Sequence, residues 1–302
     1  VHMPTLEDLS ALKNENIRKA LRGFIAVAKM GVIPPTAITT SPNSQLLPLS
    51  VGWNRLGNLS KQSGLSFQRQ TDSSEVESWG QAEPTRIDFT KDVTNVTYEC
   101  QETKRATLEQ YYQVDLSALV PDASTGEVAF AQPTVLRKIY NRIIFVAADG
   151  YGEDEIYIAK LLPKFSVSSV ADSSWSENDP MVYGITGTAM VDSALGFSVK
   201  HFFGGPGWKK QLISAGFKST YTLTIPSGAT GNFGLKVNGV ATSTTLTEAS
   251  TGANIETALN GLVTVGASGS TGSGAAGGPY TIALVNGGDL SVVPGTMTPV
   301  LS

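Results

Sequence analysis

Short runs in which hydrophobic and polar residues alternate occupy most of the first two thirds of the chain. Leu65 and Phe67 alternate with serine and glutamine, and Val96, Tyr98 and Cys100 alternate with polar side chains. A period of two is typical of strands that place one face against a core. The same pattern, or a short apolar run, predicts further strands at residues 136–148, 156–162, 165–170 and 181–191.

Helical periodicity is rare by comparison. Three leucines within the first twelve residues predict a short N-terminal helix, and residues 106–112 predict an internal helix with Thr103 as a candidate N-cap. Residues 17–28 leave two interpretations open, because their spacing suits a helix while their last five residues suit a strand. The pattern indicates a sheet with one helix packed on it.

A polar segment, residues 71–88, separates the first two clear strands. It is rich in Asp, Glu and Ser, yet it contains Trp79. The segment reads as a long loop, and long loops are usually functional or disordered. Two interpretations stay open here: a mobile surface loop, or a loop whose Val76 and Trp79 are left exposed so that another subunit can bury them.

The composition changes after about residue 215. From residue 218 to the end there are two basic and three acidic residues, whereas the preceding part holds the other 20 basic and 23 acidic ones. Glycines and a proline at 204–207 stand just before this change. At 302 residues, two domains are the better expectation. We predict a first domain at 1–213 and a second at 219–302.

The second domain is also predicted to be mainly β. The dipeptide Asn238-Gly239 is typical of a type I′ hairpin turn. The Gly/Ser/Ala-rich residues 266–278 read as a flexible loop. The predicted strands are residues 220–225, 234–237, 242–246, 263–265, 280–285 and 290–293, with a helix at 254–262.

Charge and cysteine content exclude several functions. The net charge is -4, and only 16% of the residues are charged, against roughly 25% in typical soluble domains. No dense basic run offers a phosphate-binding face, so specific nucleic-acid binding is not expected. The single Cys100 excludes an intrachain disulfide and a Cys-rich zinc site, and it reads as a buried hydrophobe. With neither an apolar run of ~18 residues nor a leader pattern, we expect synthesis in a cytoplasm.

No catalytic or metal-binding pattern emerges. His2 and His201 are the only histidines, and no G-x-S-x-G or H-E-x-x-H motif occurs. Residues 272–277 match G-x-G-x-x-G, but a Gly-Pro pair and a predicted strand follow instead of a helix. The acidic residues at 149 and 153–155 lack the EF-hand spacing and read as a solvated turn. We therefore expect no enzyme activity, no metal and no cofactor.

An ordered set of short motifs covers most of residues 15–210. The motifs are Ser73-Ser74-Glu75-Val76, Trp79-Gly80, Glu83-Pro84-Thr85-Arg86, Gln101-Glu102-Thr103, Tyr157-Ile158-Ala159-Lys160 with Pro163, and Phe203-Gly204-Gly205-Pro206-Gly207-Trp208. Taken together, they resemble the major tail tube proteins of long-tailed actinobacteriophages, the siphophages. The second domain looks like the small Ig-like modules that many phage tail proteins add.

The resemblance implies a β-sandwich or barrel with a flanking helix, closing into homo-hexameric rings that stack into a hollow tube. Such a tube would belong to the virion tail, be assembled in the host cytoplasm, and conduct DNA without specific binding. Its further partners would be a tape measure protein and tail tip and terminator proteins. The second domain would decorate the exterior.

The resemblance also implies two sets of site residues. The loop at 71–88 would reach the adjacent ring, and the polar face of the inner strands would line the lumen. The inter-ring candidates are Glu75, Val76, Trp79, Glu83 and Arg86, and the lumen candidates are Ser66, Gln68, Gln70, Asn95, Thr97, Glu99 and Gln101.

Two other classes of protein remain as alternatives. A two-module surface adhesin that binds carbohydrate would need exposed aromatic platforms and an export signal, neither of which the sequence displays. A tail-associated glycanase would need paired acid and base residues, which no motif indicates.

Overall fold

The computed structural model describes residues 10, 12–40, 43–135, 138–212, 215–217, 219–263, 265–266, 269–285 and 290–302. Of the predicted N-terminal helix, the structure describes Ser10, which is helical, and the exposed Leu12; the rest lies outside the described residues, as does His2. Packing divides the chain into two compact units, Lys19–Pro206 and Gly207–Ser302 together with Val1–Arg18.

The unit Lys19–Pro206 is built on one eight-stranded antiparallel sheet. Its strands are β1 (Arg22–Lys29), β2 (Asn54–Arg55), β3 (Leu65–Val76), β4 (Arg86–Cys100), β5 (Asn141–Asp149), β6 (Ile156–Val170), β7 (Tyr183–Met190) and β8 (Lys200–Gly204). They follow the order β2-β1-β5-β6-β7-β4-β3, with β8 beside β6. The N-terminal part of β6 pairs with β5 and β8, and its C-terminal part pairs with β7. This long strand therefore belongs to both halves of the sheet.

The two halves of the sheet fold over one another and enclose a hydrophobic core. Phe145 on β5 meets Phe67 on β3 edge to face at 5.1 Å between ring centroids, and Tyr98 on β4 at 5.8 Å. Ile25 of β1 and Ile185 of β7 are buried in the same cluster. Alternation in the sequence arises because each strand turns one face toward this core. The prediction of a mainly β sandwich is confirmed.

Residues 17–28 left two interpretations open, and of these 22–28 form most of strand β1 whereas 17–21 have no regular secondary structure. β1 lies within the first half of the sheet, and both of its faces are covered. Ile25 points into the central core, whereas Ala26 points into a second cluster with Ile38 and Phe202. A strand buried on both faces reads as a continuous apolar run, which is the run at 24–28.

One helix, α1 (Arg105–Tyr112), flanks the sheet, as predicted. Tyr111 packs edge to face on Tyr183 of β7 with ring centroids 5.3 Å apart. The predicted cap is wrong: Lys104 is the N-cap residue and makes no side-chain capping bond. The hydroxyl of Thr103 lies instead 3.0 Å from that of Tyr183. A tertiary partner has replaced the local capping bond.

The predicted break between strands 156–162 and 165–170 is also wrong. β6 continues through Pro163, and the register against β5 shifts there between Asn141 and Ile143. Proline cannot donate to a ladder, so it is tolerated where a bulge interrupts the pairing.

Gly187 on β7 is expected to be intolerant of any side chain. A Cβ at this position would lie 2.1 Å from the ring of Phe165, which is fully buried. Gly187→Ala should therefore lower the free energy of unfolding by about 1–3 kcal/mol through overpacking. Gly31→Ala is the matched control, because its Cβ would meet nothing within 4 Å. Urea midpoints at constant slope measure the difference; equal midpoints for the two variants would contradict this packing.

The unit that includes Gly207–Ser302 holds two four-stranded sheets around its own core, in which Leu223, Phe233, Leu259 and Tyr280 are buried. The predicted hairpin turn is confirmed, since Val237 pairs with Val240 across Asn238-Gly239. The elements are α2 (Pro206–Gln211), β9 (Ser219–Thr224), β10 (Asn232–Val237), β11 (Val240–Ala241), β12 (Leu246–Thr247), α3 (Gly252–Asn260), β13 (Ser270–Ser273), β14 (Tyr280–Leu284), β15 (Leu290–Pro294) and β16 (Val300–Leu301).

Three predictions in this unit are wrong. The stretch 266–278 is not one flexible loop, because β13 lies within it and pairs with β14. Val263 is fully exposed in a turn rather than in a strand. The return strand expected at 242–246 is divided into β11 and β12, both of which pair with β10. Among the described residues, no helix has the length and apolar character needed to cross a bilayer.

Candidate functional site: a projecting hairpin and a polar sheet face

The segment 71–88, predicted as a loop, is the outer half of a long β-hairpin. β3 and β4 pair continuously from Leu65–Tyr98 to Val76–Arg86, with one register shift after Asp72. Only residues 77–85 form the connection. The sequence gives little sign of this pairing, because a ribbon that buries neither face is under no constraint to alternate along its whole length.

Backbone pairing and exposed polar contacts hold the hairpin. Arg69 donates two hydrogen bonds to Asp92 across the strands, at 2.7 and 2.5 Å, and this guanidinium lowers the pKa of the Asp92 carboxyl. At the far end, the backbone N–H and the hydroxyl of Thr85 both donate to the carbonyl of Val76, at 2.9 and 3.0 Å. Exposed ion pairs of this kind contribute little stability, so the ribbon rests mainly on its ladder.

Every residue from Gln68 to Asp92 is exposed. Trp79 is fully exposed and Phe89 is 77% exposed, with Val76 and Ile87 about half exposed. Ile87 and Phe89 point to one face of the ribbon, and Val76 points to the other, as the strand alternation requires. A two-stranded hairpin without a packed face is marginal in water, so this surface is suited to burial against another molecule.

All five predicted inter-ring residues lie on the outer part of this hairpin. Glu75 and Val76 end β3, Trp79 and Glu83 belong to the connection, and Arg86 begins β4. The sequence analysis missed Ile87 and Phe89, although an Ile-x-Phe alternation inside a polar segment is a signal of a strand. Glu75, Glu77 and Glu83 are the ionisable residues between positions 73 and 85, so the tip of the hairpin is acidic.

The predicted lumen residues lie largely on one polar face of β3 and β4. Ser66 pairs directly with Thr97, and Gln68 pairs with Asn95. Their neighbours Phe67, Val96 and Tyr98 point the other way, into the core. Gln70 and Glu99 continue the face, whereas Gln101 lies beyond the end of β4 and its N–H donates to Asn58 at 2.9 Å.

Two threonines of β7 extend this polar face. Thr188 donates to the side chain of Asn95 at 2.8 Å, and the hydroxyls of Thr186 and Thr97 lie 3.0 Å apart. The sequence analysis missed both threonines, although they alternate with the buried Tyr183 and Ile185. The result is a band of neutral hydroxyl and amide groups that offers a phosphate no cationic anchor.

His201 and Glu155, which the sequence analysis assigned to no catalytic or metal-binding pattern, both have lowered pKa values. Partial burial lowers the pKa of His201, and the positive charges of Lys160 and Arg69 lower it further. A hydrogen bond from the Tyr157 hydroxyl lowers the pKa of Glu155, and the ion pair with Arg22 lowers it further. Within the described residues, no group of His, Cys, Asp or Glu side chains has metal-site geometry.

Cys100 is confirmed as a buried hydrophobe. Its side chain is fully enclosed in the central core, and burial raises the pKa of its thiol to about 12. At neutral pH the folded protein therefore presents almost no thiolate.

Comparison with known proteins places these surfaces in context. A family model described as phage tail tube protein matches residues 10–196, well over half of the chain. No curated protein sequence matches the chain. Solved structures that match include a chain described as "Virion of native gene transfer agent (GTA) particle", at 9% identity and a TM-score of 0.28, covering 54% of this chain and 99% of that one. On the strength of the family match, the chain belongs to the phage tail tube protein family, and its role is that of a structural protein of the tail.

Proposed function

We propose that copies of this chain close into hexameric rings, that the rings stack into a hollow tail tube, and that DNA passes through the bore without specific binding. The observation that carries the proposal is the hairpin of β3 and β4. It is exposed on both faces and ends in an uncovered indole, and such a surface gains most from burial against identical copies. The number six rests on the resemblance alone.

Ring closure would also cover the unpaired edge of β3. This strand pairs with β4 on one side, and no strand among the described residues pairs with its other side. A long unpaired edge invites indiscriminate association. When a neighbouring copy covers that edge, the polar faces of successive subunits join around the bore.

The polar face is suited to the passage of DNA. Its groups are hydroxyls and amides, and Glu99, which accepts a hydrogen bond from Ser63, adds negative potential to each copy. Such a face would not bind the phosphates of a passing duplex. We further propose that a tape measure protein fills the bore before ejection, that tip and terminator proteins bind the two ends of the tube, and that residues 219–302 decorate the exterior.

Microscopy tests the proposal directly. Purified full-length protein, concentrated and negatively stained, should form tubes of uniform diameter with a stain-filled bore. Antibodies against the chain should label the source particle along the whole length of its tail. Monomers at every concentration, together with label confined to the capsid or the tail tip, would overturn the proposal.

A further inference from the structure

A groove lies where the C-terminal end of α1 meets the C-terminal part of β6. We call it the tyrosine groove; its cavity measures about 250 Å³. Its lining residues are Tyr111, Tyr112, Gln113, Gln132, Lys138 and Val167–Val170. All of them belong to the unit Lys19–Pro206, as does the hairpin.

Tyr111 and Tyr112, which line the groove, belong to a longer run of aromatic rings that meet edge to face. The centroids of Tyr183 and Tyr111 are 5.3 Å apart, those of Tyr111 and Tyr112 are 5.0 Å apart, and those of Tyr112 and Phe130 are 5.4 Å apart. The hydroxyl of Tyr111 donates to the carbonyl of Ala171 at 2.6 Å, which fixes its ring. A further aromatic side chain would extend this run in the same geometry.

The opposite wall is a strand edge without a described partner. β6 pairs with β5 only as far as Phe165, and from there to Val170 it pairs with β7 on its other side. In the described part of the chain, no strand covers the edge from Val167 to Val170 that borders the groove. An extended segment from another molecule could therefore lie along it.

The charges of the groove and of the hairpin tip are complementary. Lys138 is the charged residue among the lining side chains, and no carboxylate lines the groove. The tip presents Glu75, Glu77 and Glu83 around Trp79, and the cation next to them, Arg86, is paired with Asp88. Complementary potentials favour the encounter and fix its register.

The tip and the groove also lie toward opposite ends of the strands. Asn95 of β4 and Ser166 of β6 both pair with Thr188, so they are level with each other. From that level β4 extends one way to Arg86 at the tip, and β6 extends the other way to Val170 in the groove. At the rise of ~3.3 Å per strand residue, this separation is about 40 Å. Two different surfaces at opposite ends are what a head-to-tail stack requires.

A second cavity, of about 290 Å³, does not meet this requirement. It is lined by Arg22 and Tyr157, which lie where β1 and β6 begin, toward the same end as the tip. In a stack along the strand direction, the tip of one copy approaches the opposite end of the next copy, so it would not reach this cavity.

We propose that the tyrosine groove of one copy receives the Trp79-bearing hairpin tip of a second copy in the adjacent ring. The indole lies against Tyr112 and extends the aromatic run, and the carboxylates of the tip surround Lys138. The proposal rests on the stacked tube proposed above and names the receiving surface for it.

Cross-linking in assembled full-length protein tests this pairing. Glu77→Cys places a thiol on the tip, and Gln132→Cys places one in the groove. The native Cys100 is buried and should not react with the maleimide. Tubes of the double variant, treated with a short bis-maleimide, should give a ladder of linked chains at least about ten times stronger than either single variant gives. Glu77→Cys combined with Val51→Cys is the matched control, because Val51 is 99% exposed and lies outside the groove.

The outcomes separate the two proposals. Tubes that form without the 77–132 link would overturn the groove as the receiving surface and leave the tube itself intact. If no tubes form from the unmodified protein, both proposals fail. A charge exchange gives an independent measurement: Lys138→Glu should raise the concentration needed for assembly, and adding Glu83→Lys should restore it. Failure of that rescue with all proteins folded would count against the pairing.

Discussion

Removing the hairpin is expected to leave a folded protein that no longer assembles. Gln70 and Val93 lie directly opposite each other, so an Asn-Gly turn can replace Thr71–Asp92 and join them with a two-residue connection. Every residue removed is exposed, and none contributes to the core of its unit. The urea midpoint of that unit should therefore hardly change, while tubes should be absent at any concentration that the full-length protein needs to form them.

A single side chain should produce much of this loss. Trp79 is the largest exposed apolar group of the hairpin, and a buried interface tryptophan commonly contributes about 2–4 kcal/mol. Trp79→Ser should accordingly raise the threshold concentration for assembly by ~30-fold or more. Sedimentation of polymer across a concentration series measures that threshold.

Trp175 offers a matched control for this substitution. It is 87% exposed and lies outside the hairpin, so Trp175→Ser removes the same side chain from a different place on the surface. If Trp79→Ser assembles at the wild-type threshold, the indole contributes nothing to assembly and this prediction is wrong. If Trp175→Ser loses assembly to the same extent, general surface apolarity and not the hairpin explains assembly.

The sequence predicted the parts of the fold in which one local rule decides the outcome. Alternation around Val96 and Tyr98 identified the core face of β4, because burial on one side of a sheet enforces a period of two. Asn238 and Gly239 identified a hairpin, because a type I′ turn needs a positive φ at both residues, and both have one at 52° and 83°.

The failures come where a long-range partner decides the outcome. The outer part of the hairpin shows only the short Ile87-x-Phe89 alternation, because no core lies beneath it. β13 is a strand in a glycine-rich stretch because β14 supplies its ladder. Thr103 has the chemistry of a cap, yet Tyr183 competes for its hydroxyl. In the candidate site, alternation identified the polar residues on β3 and β4. It could not show that Thr186 and Thr188 lie beside them, because the sequence does not reveal that β7 is the neighbour of β4 in the sheet.

Placing lysines on the polar sheet face is expected to turn a passive tube into one that retains DNA. Gln68 and Thr97 are exposed, and they lie on neighbouring strands of that face without pairing with each other. Gln68→Lys with Thr97→Lys would therefore add two ammonium groups per subunit, repeated around every ring of the bore, without disturbing the core. Short duplex DNA should then sediment with the tubes, whereas wild-type tubes should leave it in solution.

Salt dependence distinguishes this retention from other kinds of association. The logarithm of the binding constant falls linearly with the logarithm of the salt concentration, and each phosphate that a lysine neutralises adds about -0.9 to the slope of that line. With roughly 6–10 such contacts, affinity should fall by about 10³- to 10⁵-fold between 50 and 200 mM salt. Bound fluorescent duplex, measured in tube pellets at both concentrations, gives this ratio.

The matched control places the same charge elsewhere. Ile33 and Val51 are exposed in the segment that covers the opposite layer of the sandwich, so Ile33→Lys with Val51→Lys adds two lysines away from the polar face. Lysines outside the bore do not contact a duplex that passes through it, so these tubes should retain far less DNA. Equal retention by both variants would show that DNA binds the outer surface. In that case the band of Ser66, Gln68, Asn95, Thr97 and Glu99 would not line the conduit.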